Sequence, residues 1–209
     1  MKTRKSPRPV GRPRAFDPDA ALDGALGVFW RKGYDGASLS DLTRAMGINR
    51  PSLYAAFGDK EALFRKALDR YDAGPAAYTS KALEEPTARG VVEALLAGAI
   101  ELLADPHTPP GCLMVQGALA CGETADPVRQ ELASRRAAGE AAICRRFKRA
   151  KADGDLPPDS DPAGLARYVS TVIYGMAVQA AGGATRKELR LIAEIALRTW
   201  PRNNSSRRR

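Results

Sequence analysis

Residues 38–64, SLSDLTRAMGINRPSLYAAFGDKEALF, constrain this chain more than any other stretch. They read as a short helix, a tight turn, a second short helix and the capped start of a third. Ser38 is placed to N-cap the first helix, with Asp41 three residues on. Leu39, Leu42 and Met46 supply its inward stripe. Gly47 supplies the left-handed residue that ends it. Asn49 then caps a new helix with Leu53, Ala56 and Phe57 at its apolar positions. This pattern predicts a helix-turn-helix, whose second helix reads base edges in the DNA major groove from its N-terminal residues.

The reading helix spans roughly residues 49–57, with Arg50, Pro51 and Ser52 in its first turn. Arg50 suits a bidentate bond to guanine O6 and N7. Ser52 is a less selective donor and acceptor, and Pro51 offers apolar contact to a thymine methyl. Tyr54 falls on the outward side, within reach of a phosphate. Lys60 starts the next helix, where free backbone N–H groups and the helix dipole favour phosphate. Ser38 is placed to bond phosphate from the first helix's cap. Such phosphate bonds set register and not sequence. The competing reading is an ordinary helical hairpin, with Tyr54 half-buried and Lys60 a solvated charge.

Other helix starts are legible too. Asp17-Pro18, Asp126-Pro127 and Asp161-Pro162 each put a capping carboxylate before a proline suited to a first turn. Leu22, Ala25, Leu26 and Phe29 then recur at helical spacing until Gly33 stops the run. Leu63, Phe64, Ala67 and Leu68 mark another helix to about residue 71. Val92 to Leu103 mark a helix from about Pro86, broken by Pro106, Pro109, Pro110 and Gly111. Residues 112–123 read as helix or strand by periodicity, and helix in this context. A long helix follows from Asp126 to about Ala152. It carries Arg135, Arg136, Arg145, Arg146, Lys148, Arg149 and Lys151, which read as a solvated face. Two more helices are marked by Leu165 to Ala177 and by Leu189 to Trp200. No segment alternates as a strand does, so the chain is predicted all-α, with about nine helices.

The domains predicted are a disordered basic arm over 1–15, a helix-turn-helix domain over 16–71, a separate apolar helical bundle over 72–201, to which the family resemblance given below assigns ligand binding and dimerisation, and a disordered basic tail over 202–209. Linker-like residues 73–90 lie near the boundary, and the fourth helix is expected to cross it. Charge supports this division. The net charge of +9 resides at the ends, since 1–15 hold six basic residues and no acid and 202–209 hold four arginines. The body between them holds 23 basic against 24 acidic residues. Basic tails on a neutral body suit a polyanion, or simply solubility.

The sequence shows no apolar leader and no run near the roughly 18 residues of a membrane span, so a cytoplasmic, nucleoid-associated location is expected. Three cysteines, Cys112, Cys121 and Cys144, make no disulfide framework. Cys112 and Cys121 read either as a redox pair or as inert buried thiols. One histidine, His107, leaves little scope for a metal site, and no cofactor motif or catalytic group is seen.

The residues Phe29, Gly33, Tyr34, Ser38, Leu42, Ala45, Gly47, Ile48, Leu53, Tyr54, Phe57, Lys60, Glu61 and Leu63 closely resemble the DNA-binding domain of the TetR family of bacterial transcriptional regulators. The specific core is Leu53-Tyr54-x-x-Phe57-x-x-Lys60-Glu61-x-Leu63, and the resemblance covers about residues 16–71. It implies that Tyr54 and Lys60 contact the phosphate backbone. It also implies an all-helical homodimer, whose C-terminal domain binds a small molecule that shifts the spacing of the two reading heads. Residues 175–189, GMAVQAAGGATRKEL, look like the family's penultimate helix and turn. Pro51 departs from the small residue or glycine of many members and leaves base preference open. Residues 111–123, GCLMVQGALACGE, resemble a subset that includes acrylate-responsive repressors, without specifying a ligand here. In the arm, Gly11-Arg12-Pro13-Arg14 resembles the core of minor-groove-binding AT-hooks, with Val10 in place of the usual arginine. Arg12 and Arg14 then read either as minor-groove contacts or as diffuse phosphate contacts.

For a ligand pocket, Met114, Gln116, Tyr168, Tyr174 and Gln179 are candidates, because they place polar or soft tips among apolar neighbours. Ala177, Ala180, Ala181, Ala193 and Ala196 permit close helix packing, and the resemblance assigns those last two helices to a dimer seam. The stripe Leu189, Ile192, Ala193, Ala196, Leu197 and Trp200 is expected to be shared between the chain's own bundle and a second copy. The reading is a ligand-responsive, homodimeric repressor of double-stranded operator DNA. The alternatives are an architectural DNA binder without a ligand, or a small helical enzyme.

Overall fold

The computed structural model describes residues 16–119 and 125–201. Arg12, Arg14, Cys121 and the tail from residue 202 lie outside the described residues. Ten helices are present there: α1 (Pro18–Gly36), α2 (Leu39–Met46), α3 (Arg50–Phe57), α4 (Lys60–Ala73), α5 (Tyr78–Ala82), α6 (Ala88–Leu103), α7 (Leu113–Leu119), α8 (Asp126–Ala152), α9 (Pro162–Ala181) and α10 (Arg186–Arg198). The helix beyond the expected count of about nine is α5, five residues set in the linker-like stretch. Helix α4 ends at Ala73, against Gly74.

The caps explain most of the boundaries. Asp17 Oδ1 accepts from the Asp19 amide, and Asp161 Oδ1 accepts from the Ala163 amide. Thr87 caps α6, and Thr185 forms a full capping box with Glu188 at α10. Asp126 departs from the expectation. The N-cap of α8 is Ala125, without a side-chain bond. Asp126 lies inside the helix, where its carboxylate meets Arg129 and the positive end of the helix dipole. Gly33 interrupts α1 without ending it. At φ 67° it kinks the chain, and helix resumes to Gly36.

Two apolar cores form. The first gathers Phe29, Leu42, Leu53, Leu63, Phe64 and Tyr71 from α1 to α4. Phe64 stands edge-on to Phe29 at 4.9 Å and to Tyr34 at 5.3 Å between ring centroids. This core does not stop at the end of α4: Leu113 of α7 and Val128 and Leu132 of α8 complete it. The second gathers α5, α6, the C-terminal half of α8, α9 and α10 around Leu95, Leu96, Phe147, Met176 and Leu189. Helix α8 therefore runs from one core into the other.

The basic row on α8 is not simply a solvated face. Arg145, Lys148 and Arg149 are exposed. Arg146 is only 6% exposed and donates to the Glu85 carbonyl at 2.7 Å. Arg135 and Arg136 turn toward the body of the fold, as described below.

The C-terminal stripe also differs from expectation. Leu189, Ala193, Ala196 and Trp200 are buried in the chain's own core, and Ile192 and Leu197 pack against it. Ala177 and Ala180 are buried as well. The large apolar side chains that α9 and α10 leave exposed are Tyr168, Val178, Leu191 and Ile195. A helix stripe has two edges, and sequence spacing alone does not say which edge its own bundle covers.

Candidate nucleic-acid interface and ligand cavity

The reading helix α3 is set by its neighbours. Ser38 and Asp41 form a reciprocal capping box at α2, with Ser38 Oγ accepting from the Asp41 amide at 3.0 Å. Asp41 also pairs with Lys32 of α1 at 2.8 Å. The Lys32 and Ser38 bonds pull the Asp41 carboxyl down to about 2. Gly47 takes φ 65° and turns the chain out of α2. Asn49 Oδ1 accepts from the Ser52 amide at 2.9 Å and opens α3. Leu53 and Phe57 are buried, which turns the opposite face outward.

That outward face carries the predicted contacts. Asn49, Arg50 and Pro51 are exposed, Ser52 is half-buried, and Tyr54 is 48% exposed. Arg50 does not hang free. Its Nη2 donates to Ser40 Oγ of α2 at 3.2 Å. Lys60 sits at the first turn of α4, with Nζ 4.5 Å from the centre of the Tyr34 ring. Such a cation over a ring face is held in place by the ring quadrupole. Ser38, Arg50, Tyr54 and Lys60 thus lie around one α2–α3–α4 surface. Three residues that position it, Lys32, Tyr34 and Ser40, were not among the predicted site residues. Ser40 follows the Ser38 cap by two residues, but nothing in the spacing marks it as Arg50's acceptor.

Helix α4 links this surface to a cavity of about 270 Å³ among α4, α5, α6, α8 and α9, with Met114 of α7 and Cys112 just before it. Its walls are mostly apolar, with Leu83, Leu95 and Ile143 among them. Tyr71 and Asp72 enter from α4, and Tyr78 from α5. Arg135 and Arg136 enter from α8, and Ser170 and Tyr174 from α9. Of the five predicted pocket residues, Met114 and Tyr174 line it. Gln116, Tyr168 and Gln179 do not. Gln116 Oε1 is buried without a hydrogen-bond partner among the described residues. Tyr168 lies outside, with its hydroxyl 3.2 Å from Thr199 Oγ1. Gln179 faces away from the core and is exposed. A polar tip among apolar neighbours in sequence does not specify which side of a helix it occupies.

The cavity's polar groups are neutral except for the arginines and Asp72. Tyr71 Oη donates to Cys112 Sγ at 3.2 Å. Burial pushes the Tyr71, Tyr78, Tyr174 and Cys112 groups above their ordinary values, so each keeps its proton at neutral pH. Arg135 bonds three carboxylates: Asp69 and Asp72 of α4, and Glu131 one turn back on α8, at 2.7–2.9 Å. Burial alone would lower its guanidinium, but these carboxylates hold it above its ordinary value. The result ties the last turns of α4 to α8. Trp30 of α1 stands edge-on to Tyr71 at 4.8 Å and donates its indole N–H to the Gly111 carbonyl.

A helix-turn-helix joined through α4 to a helical bundle with a cavity defines a class, and comparison with known proteins gives its family. Residues 21–67 match the profile described as bacterial regulatory proteins, tetR family. Residues 86–193 match the tetracyclin repressor-like C-terminal domain. The chain belongs to the TetR family of transcriptional regulators. It is similar to the HTH-type transcriptional repressor ComR of Escherichia coli K12, at 36% identity over 91% of this chain and 92% of ComR. Among solved structures it is similar to a cysteine-substituted CifR, a TetR family transcriptional regulator in complex with 26-base-pair operator DNA. That likeness has a TM-score of 0.87 and 44% identity, covering 91% of this chain and 100% of CifR. A TetR regulator from Rhodococcus sp. RHA1 is 43% identical, with a TM-score of 0.60, over 89% of this chain and 100% of that one. Among the described residues no helix is long and apolar enough to cross a membrane.

Proposed function

We propose that this chain is a homodimeric repressor that leaves its operator when a small molecule occupies the cavity. It acts on cytoplasmic, nucleoid-associated DNA and is a regulator, not an enzyme. The observation that carries this reading is that α4 takes part in both sites. Its first turn holds Lys60 beside the reading helix, and its last turns hold Tyr71 and Asp72 in the cavity wall. A ligand that displaces the last turns of α4 at Tyr71 and Asp72 moves the helix whose first turn carries Lys60. The names of ComR, a repressor, and CifR, solved on operator DNA, support the same reading.

The mechanism is a shift between two populations. Operator favours the conformation whose reading heads match the half-sites, and ligand favours the other. The coupling is reciprocal, of order 1–3 kcal/mol. Arg50, Pro51 and Ser52 supply base contacts. Ser38, Asn49, Tyr54 and Lys60 supply the phosphate and positioning contacts. Arg12 and Arg14 add either minor-groove contacts on A·T-rich flanks or diffuse phosphate contacts.

Genomic footprinting with purified protein tests this reading. A few discrete protected sites with two-fold symmetry are expected, each released by one metabolite linked to the neighbouring genes. Protection spread evenly along DNA would favour an architectural role. Site-specific protection that no small molecule releases would leave a repressor without the ligand response.

A further inference from the structure

The charge arrangement inside the cavity carries one more step, which rests on the ligand-responsive reading above. Arg135 and Arg136 are neighbours on α8, and both line the cavity. Their circumstances differ. Each of the bonding nitrogens of Arg135 faces a carboxylate, Nε to Glu131, Nη1 to Asp72 and Nη2 to Asp69. Arg136 has no carboxylate partner among the described residues. Its Nη1 donates to the Met114 carbonyl at 2.6 Å, a neutral acceptor. A guanidinium offers five N–H donors. One is engaged by that carbonyl, and the positive charge is left uncompensated beside an apolar space.

The other charged groups nearby do not answer it. Asp72, the acid in the cavity wall, is held by Arg135. Glu140, one turn along α8, is held by Arg167. Tyr78, Tyr174 and Cys112 stay neutral, so they repel no anion. Tyr174 lies close enough for Arg136 to act on its phenol electrostatically, and no hydrogen bond of its own engages its hydroxyl among the described residues.

We propose that the cavity binds a small organic anion, a carboxylate on a short apolar body. Arg136 holds the carboxylate, the Tyr174 hydroxyl donates a second bond, and the apolar body lies against Leu83, Leu95 and Ile143. The volume of about 270 Å³ places the ligand at the small end of those that such cavities take. A charged acceptor strengthens each of these hydrogen bonds over a neutral one.

The test uses the full-length protein at pH 7.5, with hexanoate and hexanamide as probes, so that charge differs while the chain is shared. Thermal shift gives affinity, and emission in a Trp200→Phe background, where Trp30 against Tyr71 of the wall is the one tryptophan, reports that the probe is in this cavity. Hexanoate is expected to bind saturably and about tenfold or more tighter than hexanamide. Arg136→Gln should erase that preference. Arg136→Lys, which keeps the charge, should retain most of it and guards against a folding defect in the glutamine variant. Equal binding of the two probes, or a preference for hexanoate that survives Arg136→Gln, would overturn the anion assignment while leaving a ligand cavity in place. If hexanoate, hexanamide and hexanol all leave Trp30 emission unchanged, the anion assignment falls and the reading of the cavity as a ligand site falls with it.

Discussion

Arg50 and Lys60 stand a helix apart, and the proposed reading gives them different duties. Arg50 is at the exposed first turn of α3, steadied by Ser40 Oγ at 3.2 Å. Arg50→Ala should cost about 1–3 kcal/mol against the preferred base and relax selectivity at that position. Anisotropy titrations on operator and scrambled duplexes measure this, and equal weakening of both would remove the base-reading role. Lys60→Ala should weaken both duplexes alike and lower the salt slope by roughly one unit. Asp41 carries the pH dependence. Its folded value of about 2 lies below the ordinary 3.8, because Lys32 and Ser38 bind the ionised form. A depressed carboxyl adds stability that is complete above about pH 4 and is lost as pH falls toward 2. Thermal melts between about pH 4 and 2 should therefore fall less steeply for Asp41→Asn than for wild type. Parallel curves would show that the Lys32 and Ser38 bonds contribute nothing to acid sensitivity.

At the scale of elements, the helix-turn-helix depends on how closely α1 approaches α2. A Cβ added at Gly24 would lie 2.4 Å from the Ala45 carbonyl oxygen. That oxygen belongs to the α2 backbone and cannot swing aside as a side chain would. Gly24→Ala should thus force the two helices apart and cost roughly 1–3 kcal/mol, the usual range for overpacking. The urea midpoint reads the loss, and operator affinity should drop with it because α2 carries Ser38 and Ser40. A variant as stable as wild type would mean that the contact has slack. Gly24 lies in an otherwise ordinary helical run, and only the packed pair reveals why a side chain is excluded there. Gly47, by contrast, is readable in sequence, because a left-handed turn is a local requirement.

In the whole molecule, the exposed apolar side chains of α9 and α10 are where the proposed dimer is expected to form. Ala193 is 6% exposed, so a substitution there would disrupt the chain's own core and test folding instead of assembly. Leu191 and Ile195, one turn apart on α10, are 54% and 46% exposed, and Val178 and Tyr168 are exposed on α9. An exposed apolar cluster of this kind favours association with a partner. Ile195→Arg, combined with Leu191→Arg, should produce folded monomers that no longer hold operator DNA, since one reading head makes few base contacts. Light scattering checks it, with circular dichroism to confirm helicity. Double-variant dimers as tight as wild type would move the interface elsewhere.

The local features were legible from residues alone. The caps at Asp17, Ser38, Asn49 and Asp161, the turn at Gly47, the span of α8 and the all-helical class each follow from backbone chemistry within a few positions. So did the outward placement of Arg50 and Tyr54, because Leu53 and Phe57 must face inward. Tertiary structure alone decided what depends on residues far apart in the chain. It placed Arg135 and Arg136 in a cavity wall when their run of charges reads as a solvated face. It put Tyr71 and Cys112 in contact across 41 positions. It left Gln116, Tyr168 and Gln179 outside the cavity, and it turned Ala193 inward and Ile195 outward. Helical periodicity repeats every 3.6 residues and identifies an apolar stripe, but which neighbour covers which edge of that stripe is settled only when the helices pack.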